Sequence, residues 1–333
     1  MQRALQDLVQ VDTEAVERYH RPVDPPRLAI QVRRSVPHTQ PAHRAATAVR
    51  RLLGGTRSRS AGNPDLEPEL QQAKRQLRRL RARLKKSQAD VQRLQQDLQQ
   101  TRESVCDPDP RIELSPALTD LIMNVREERL THLLPTSLTT LARLVVGLEQ
   151  SGQPGILIEA GTARGGSAIV LGAAKSLKRP LKVYDVFGLI PPPSDSDGPD
   201  IQRRYRVIKS GRAKGIGGDS YYGYRDDLYG EVTESFRRFG VEVESNNVEL
   251  IRGLFNDTMV IDEPVALAHL DGDWYESTLT CLERIAPMLV PGGRIVVDDY
   301  YMWSGCRTAV DEYFTGHAGF HVERRAKVHI VRL

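Results

Sequence analysis

Beyond residue 155 the chain alternates short apolar segments with longer amphipathic ones, and this alternation constrains the fold more than any other feature. The short segments predict strands at 156–160, 181–187, 248–253, 265–271 and 293–299, with closing strands near 320–325 and 327–332. Strands that alternate with helices form a parallel sheet with helices on both faces. The last two strands are joined too tightly for a crossover helix, which predicts an antiparallel hairpin. We therefore expect an α/β fold with a mostly parallel sheet and an antiparallel C-terminal hairpin.

The first 110 residues differ in composition from the rest of the chain. They hold 21 Lys and Arg against 13 Asp and Glu, whereas the remainder holds 26 against 30. Residues 1–64 are rich in Pro, Ser and Arg, and we expect them to be mostly disordered because this composition buries too little apolar surface to offset chain entropy. The basic region could contact phosphates or an anionic membrane surface, or it could be a solvated tail.

A seven-residue apolar repeat occupies residues 65–106. The first apolar position holds Leu70, Leu77, Leu84, Val91, Leu98 and Val105, and the second holds Ala73, Leu80, Ser87, Leu94 and Thr101. These are the a and d positions of about five heptads. We expect a parallel dimeric coiled coil, and hence a homo-oligomer. The alternative is a single helix whose apolar stripe packs on its own domain.

The cysteine spacing and the hydropathy of the chain indicate in which cellular compartment the protein resides. Cys106, Cys281 and Cys306 show no paired spacing, so neither a disulfide framework nor a zinc site is indicated. No apolar run approaches the roughly 20 residues of a transmembrane helix, and the N-terminus lacks the apolar core of a signal peptide. We expect a cytoplasmic protein without a transmembrane segment.

A glycine-containing loop follows the first predicted strand and leads into a helix. It runs from Glu159 to Ser167, with glycines at 161, 165 and 166. Glycine lets the backbone approach a ligand, and a helix N-terminus offers N–H groups to an anion. Asp185 ends the second predicted strand, where a carboxylate can accept hydrogen bonds from both hydroxyls of a ribose. Together these features indicate a nucleoside-containing cofactor; a tight turn without a ligand is the alternative for the loop.

Two pairs of carboxylates end the next two predicted strands. Asp271 and Asp273 follow one strand, and Asp298 and Asp299 follow the other. The ends of parallel strands share one edge of the sheet, so we expect all four near the cofactor. Like charges so placed repel unless a cation or protons intervene, and oxygen ligands suit Mg²⁺. Aspartates that merely cap helices are the alternative.

These stretches together resemble the macrocin (TylF/MycF/NovP-like) family of sugar O-methyltransferases. The resemblance covers roughly residues 130–333 and rests on the segments EAGTARGG, DVFGLIPPP, RGLFNDT, LDGDWYEST, PGGRIVVDDY and CRTAVDEY. It implies a Rossmann-like class I methyltransferase domain that uses S-adenosyl-L-methionine, which we assign to residues 111–333.

The resemblance also implies roles for individual residues. Asp271, Asp298 and Asp299 would bind Mg²⁺, and Asp273 would be the general base. The residues implied for the cofactor site are Glu159, Gly161, Thr162, Gly165, Gly166, Ser167 and Asp185.

The sequence-based hypothesis is therefore a metal-dependent O-methyltransferase acting on a sugar-containing or polyhydroxylated acceptor. Residues 188–228 are too long for an ordinary connector, and we expect an acceptor-binding lid carrying Tyr205, Tyr221, Tyr222 and Tyr224; a disordered insertion is the alternative. A catechol or phenolic O-methyltransferase is the nearest rival. A non-catalytic coiled-coil scaffold or nucleic-acid binder is the other rival, and the intact metal motif argues against nucleic acid as a partner.

Overall fold

The structure, a computed structural model, describes residues 71–72, 74–87 and 111–333. Residues 71–72 and 74–87 are helical, and Leu77, Leu80 and Leu84 are exposed on this segment. The predicted disorder of residues 1–64 and most of the predicted coiled coil lie outside the described residues, so pairing of the heptads stays a prediction. No helix within the described ranges has the length and apolar character needed to cross a bilayer.

Residues 111–333 form a seven-stranded sheet flanked by helices. The helices are α1 (Pro116–Glu127), α2 (Pro135–Ser151), α3 (Gly166–Ala174), α4 (Pro199–Lys209), α5 (Leu228–Arg238), α6 (Phe255–Thr258), α7 (Tyr275–Ile285) and α8 (Ser304–Phe314). The strands are β1 (Ile156–Ala160), β2 (Leu181–Asp185), β3 (Val248–Arg252), β4 (Val265–Leu270), β5 (Leu289–Val297), β6 (Phe320–Arg324) and β7 (Val328–Arg332).

The sheet confirms the predicted mostly parallel α/β fold. Its strand order is β3-β2-β1-β4-β5-β7-β6, with β1 to β5 parallel and β7 antiparallel to both β5 and β6. β1 and β4 lie in the interior of the sheet, and every one of their residues is buried, as expected for strands covered on both faces. The strand order reverses between β1 and β4, and the crevice at such a reversal is where open α/β sheets bind ligands.

Two apolar clusters cover the two faces of the sheet. One joins residues such as Val145, Leu157 and Phe236, and the other joins residues such as Ile158, Leu282 and Ile330. Successive residues of β1 therefore contribute to opposite faces, as the two-residue period of a strand requires. This packing holds the strand ends in fixed positions relative to one another.

The segment 188–228 is more ordered than the sequence suggests, and its possible reading as a disordered insertion is wrong. It contains α4 and short 3-10 turns at Ile216–Gly218 and Tyr222–Tyr224. Pro at the first turn of α4 favours helix initiation, and Ile201 and Ile208 are buried seven residues apart on one face. No helix was predicted here because the composition of α4 is mostly polar.

Candidate active site

A cavity of about 510 Å³ opens at the carboxyl ends of β1, β2, β4 and β5. Gly161 follows β1, Asp185 ends β2, Asp271 follows β4 and Asp299 follows β5, and all four residues line the cavity. A volume of this size lies within the range of sites for small molecules and cofactors. The strand topology therefore gathers the predicted cofactor and carboxylate residues at one edge.

Gly161 lies where the loop after β1 meets the loop after β4. Its φ angle is +88°, and a Cβ at this position would lie 2.0 Å from the carbonyl oxygen of Asp271. The amide of Asp271 donates to the carbonyl of Ala160 at 2.8 Å, which ties the two loops together. Only glycine allows this close approach, so the glycine sets the distance between the cofactor loop and the first carboxylate.

Asp185 both lines the cavity and shapes the glycine loop. Its Oδ2 accepts hydrogen bonds from the amides of Thr162 and Ala163 at 2.8 and 3.0 Å, and its Oδ1 accepts one from the amide of Phe187 at 2.7 Å. Burial raises the pKa of Asp185, while these three bonds oppose the rise. Because a carboxylate has about four acceptor sites, these three bonds leave Asp185 about one site for a ligand.

Glu159 lies beneath the cavity, outside its lining. The hydroxyl of Ser167 donates to Oε1 of Glu159, and Nδ1 of His269 lies 3.0 Å from Oε2. Burial lowers the pKa of His269, but the charges of Glu159 and Asp298 raise it to about 10. The imidazole is therefore protonated at neutral pH and compensates the charge of a fully buried carboxylate.

The other predicted loop residues also lie behind the cavity wall. A Cβ at Gly165 would lie 3.0 Å from Val232 of α5, and a Cβ at Gly166 would lie 2.8 Å from the backbone of Leu130. Thr162 is buried and donates its amide to Asp185. Of the seven residues assigned to the cofactor, Gly161 and Asp185 line the cavity, and the other five support the loop from behind.

Three of the carboxylates that line the cavity form a cluster. Asp271, Asp273 and Asp299 each place one oxygen within 4.8 Å of the others, and the amide of Asp273 donates to Oδ2 of Asp299 at 2.9 Å. Burial and repulsion by neighbouring aspartates raise the pKa values of Asp271 and Asp273 well above normal. Burial and the charge of Asp298 raise the pKa of Asp299 to about 6. Asp273 also has a φ of +56°, an uncommon conformation for a non-glycine residue. The cluster favours a bound cation or protons.

Asp298 lies apart from this cluster. Its Oδ1 is 2.6 Å from Nζ of Lys327 and 3.9 Å from Nε2 of His269. Burial raises the pKa of Asp298, but Lys327 and His269 hold it well below its usual range. The strand ends predicted all four aspartates together, and the resemblance implied Asp271, Asp298 and Asp299 as the metal ligands; in the structure the three that group together are Asp271, Asp273 and Asp299. The signal that could have revealed this is Lys327, which precedes β7, the neighbour of β5.

Aromatic side chains form the remaining wall. Tyr221, Tyr222, Trp274 and Trp303 line the cavity, and Nε1 of Trp274 donates to the carbonyl of Pro191 at 2.9 Å. Tyr224 points into the 188–228 segment instead, where its hydroxyl donates to the carbonyl of Ile208. Tyr205 is outside the lining. Two of the four tyrosines expected in the lid therefore face the cavity, and two tryptophans join them.

Anchoring contacts hold the 188–228 segment against the carboxylate loops. Oδ1 of Asp197 accepts a hydrogen bond from the amide of Tyr275 at 2.8 Å, at the start of α7. Oδ2 of Asp200 accepts one from the amide of Ser304 at 3.0 Å, at the start of α8. Each aspartate satisfies an N–H group that the first turn of a helix leaves without an internal partner.

Comparisons with known proteins agree with this architecture. The family model described as Macrocin-O-methyltransferase (TylF) matches residues 74–319. The solved structure of the O-methyltransferase NovP superposes with a TM-score of 0.52 and 24% identity, covering 65% of this chain and 96% of that one. This likeness shows the same fold.

Two curated proteins illustrate the level of similarity. The chain is 33% identical over 168 residues to 8-demethyl-8-(2,3-dimethoxy-alpha-L-rhamnosyl)-tetracenomycin-C 4'-O-methyltransferase from Streptomyces olivaceus. It is 31% identical over 166 residues to demethyldecarbamoylnovobiocin O-methyltransferase from Streptomyces niveus. The matches cover 49% and 48% of this chain, and 59% and 58% of the two relatives.

Proposed function

Because the chain belongs to the TylF macrocin O-methyltransferase family, we propose that it transfers a methyl group from S-adenosyl-L-methionine to a hydroxyl group of a sugar-containing acceptor. The observation that carries the proposal is the cavity in which Gly161 and Asp185 face the Asp271, Asp273 and Asp299 carboxylates. One side of this cavity suits a nucleoside, and the other suits a polyhydroxylated acceptor. The relative from Streptomyces olivaceus, whose name specifies a rhamnosyl group on its substrate, supports this acceptor class.

The cofactor side of the cavity fits S-adenosyl-L-methionine. Asp185 would accept a hydrogen bond from a ribose hydroxyl with the acceptor site that its backbone contacts leave open. Gly161, having no side chain, leaves room for the cofactor beside the end of β1. When bound, the cofactor supplies an electrophilic methyl group on a sulfonium. Glu159 and Ser167 would act indirectly, by holding the loop in place.

The carboxylate side fits a hard divalent cation such as Mg²⁺. Clustered carboxylates with raised pKa values need a positive charge to ionise together, and oxygen ligands match this ion. Asp271 and Asp299 belong to the ligand set in either arrangement. Asp298 is the third ligand if its carboxylate moves away from Lys327, and Asp273 is then free to act as the base. Asp273 is instead the third ligand if the clustered arrangement is kept. A cation held there would lower the pKa of a coordinated hydroxyl.

Asp273 has the properties of a general base when it is not a ligand. Its carboxylate lines the cavity, and burial raises its pKa, which makes the ionised carboxylate a stronger base towards an acceptor hydroxyl. Trp274 follows it directly and lies beside Trp303, with ring centroids 6.2 Å apart. These rings would stack on the acceptor and orient its hydroxyl, while excluding water from the reacting atoms.

Mass spectrometry of reaction mixtures tests the function. The full-length protein with S-adenosyl-L-methionine and Mg²⁺ is offered a panel of sugars and glycosides beside a panel of catechols and simple phenols. We expect methylated sugars. Methylation confined to the phenols would replace the proposed acceptor class with the phenolic alternative, and no methylation of either panel would count against the enzyme assignment.

A matched pair of variants tests the base. Asp273→Asn should lower turnover by a factor on the order of 10²–10⁴, the usual contribution of a general base. Asp195→Asn removes a carboxylate that is exposed in the same domain, and it should retain turnover. Full turnover in Asp273→Asn would place the base elsewhere.

We also propose that residues 65–106 pair as a coiled coil and make the protein a homo-oligomer. The heptad pattern and the exposure of Leu77, Leu80 and Leu84 on the described helix support this proposal. Since leucines on one helix face are stabilised by burial against a second helix, a second copy of the segment is the expected partner.

A further inference from the structure

Arg204 stands out among the cavity-lining residues that the catalytic proposal leaves unused. It lies on α4, is half-buried, and is the one lysine or arginine that lines the described cavity. Its guanidinium carbon lies 5.7 Å from the ring centroid of Tyr221. The neighbouring Arg203 and Arg206 are exposed instead. Helix α4 therefore directs one arginine of its basic sequence into the cavity.

The guanidinium of Arg204 is not committed to a protein carboxylate. Within residues 111–333, the ion pairs and hydrogen bonds join other arginines to acidic partners, such as Arg179 to Glu149 and Arg294 to Glu323, and leave Arg204 without one. Asp273 is near enough for Arg204 to lower its pKa, although burial raises that pKa more. The N–H donors of this half-buried guanidinium thus remain available to a ligand in the cavity.

The surrounding charges make this arginine decisive for an anionic ligand. Asp185, Asp271, Asp273 and Asp299 all line the cavity, and these acidic side chains offer an anion no positive charge. His132 also lines it, but burial lowers its pKa, and the positive charges of Arg126 and Arg204 lower it further, so the imidazole is neutral at physiological pH. The permanent positive charge that the lining side chains offer is therefore that of Arg204.

We propose that Arg204 determines acceptor specificity by binding an anionic group of the acceptor, a carboxylate or a phosphate. This inference rests on the proposed function and names its acceptor class as acidic or phosphorylated sugars. The forked donors of a guanidinium match two oxygens of either group, and stacking on Tyr221 orients the guanidinium plane. An acceptor held there lies beside Asp273, where its hydroxyl is to be deprotonated.

Binding of three sugar probes tests the proposal. The full-length protein, saturated with S-adenosylhomocysteine and Mg²⁺, is titrated calorimetrically with methyl glucoside, with methyl glucuronide and with glucose 1-phosphate. We expect at least one anionic probe to bind about 10-fold or more tightly than the neutral one, as for a charge-assisted hydrogen bond. The preferred anionic probe distinguishes a carboxylate from a phosphate. Absence of any anionic preference overturns the proposal.

Variants of α4 assign the preference to its residue. Arg204→Gln should abolish the anionic preference while leaving the dissociation constant of methyl glucoside unchanged. Arg203→Gln removes the same charge from an exposed position one residue away, and it should retain the preference. An equal loss of neutral and anionic binding in Arg204→Gln would show that Arg204 acts on packing or on Asp273, and would overturn the proposal.

Two further measurements keep the outcome independent of folding and of the general function. Arg204→Lys, which retains the charge without the fork, should retain part of the preference if Arg204→Gln does not fold; an undiminished preference contradicts the two-oxygen contact. Methyl transfer to neutral sugars with no anionic preference overturns this inference and leaves the methyltransferase proposal standing. A preference for the anionic probe without methyl transfer to any sugar supports binding by Arg204 and overturns the methyltransferase proposal.

Discussion

Gly161→Ala should separate the cofactor loop from the carboxylate loop. An alanine there would adopt a φ near +88°, which costs about 1–2 kcal/mol for an L-residue. Its Cβ would also lie 2.0 Å from the carbonyl oxygen of Asp271, and since that atom is backbone, relief requires movement of the chain. Such overpacking costs about 1–3 kcal/mol. We therefore expect a total loss of about 2–5 kcal/mol in the free energy of unfolding.

Gly218→Ala provides the matched control. Gly218 has a φ of +87°, and a Cβ there would meet nothing within 4 Å, so this variant carries the conformational cost without the clash. Urea unfolding of both variants measures the difference, and calorimetry measures their affinities for S-adenosyl-L-methionine. Gly161→Ala should be the less stable by about 1–3 kcal/mol and should bind the cofactor at least about 10-fold more weakly. Equal stabilities with unchanged cofactor affinity would refute the argument that the close approach requires glycine.

Three further predictions concern the metal, the hairpin and the assembly. Chelation with EDTA should abolish activity and Mg²⁺ should restore it, whereas full activity in excess chelator would reject the metal. Calorimetric Mg²⁺ titrations of Asp273→Asn and Asp298→Asn should show a loss of affinity in the variant that lacks the third ligand. Burial raises the pKa of Glu323, but hydrogen bonds from Arg294 and Arg325 outweigh burial and lower this pKa to about 2. The ionised carboxylate therefore stabilises the fold above its ordinary pKa of 4.5, and this contribution is lost as the pH falls through about 2. Glu323→Gln should therefore lose on the order of 1 kcal/mol at neutral pH and show a shallower acid limb in urea unfolding, whereas an unchanged limb would dismiss the ion pairs as stabilising. Removal of residues 1–110 should lower the oligomeric state measured by light scattering and leave a folded domain, and a monomeric full-length chain would contradict the coiled coil.

The order of strands and helices was accessible from the sequence because it depends on local periodicity. β1 and β2 begin at their predicted residues, and the antiparallel hairpin follows from the short connection before β7. Boundaries were less accurate where turn residues intervene: β5 begins at Leu289, four residues before its predicted start at 293, because Pro291 and Gly292 interrupt the apolar pattern. The mostly polar α4 gave no clear periodic signal.

The identity of the candidate site was also accessible, because glycines and carboxylates at strand ends are local motifs, and a parallel sheet brings those ends together. The sequence by itself thus determined the fold class, the edge of the sheet that carries the site and the residues near it. Only the tertiary structure decided which of them meet. Asp298 pairs with Lys327, Glu159 pairs with His269, and Arg204 enters the cavity without an acidic partner among the described residues. These contacts join residues distant in the chain, and their distances are set by strand order, register and helix packing, which no local pattern encodes.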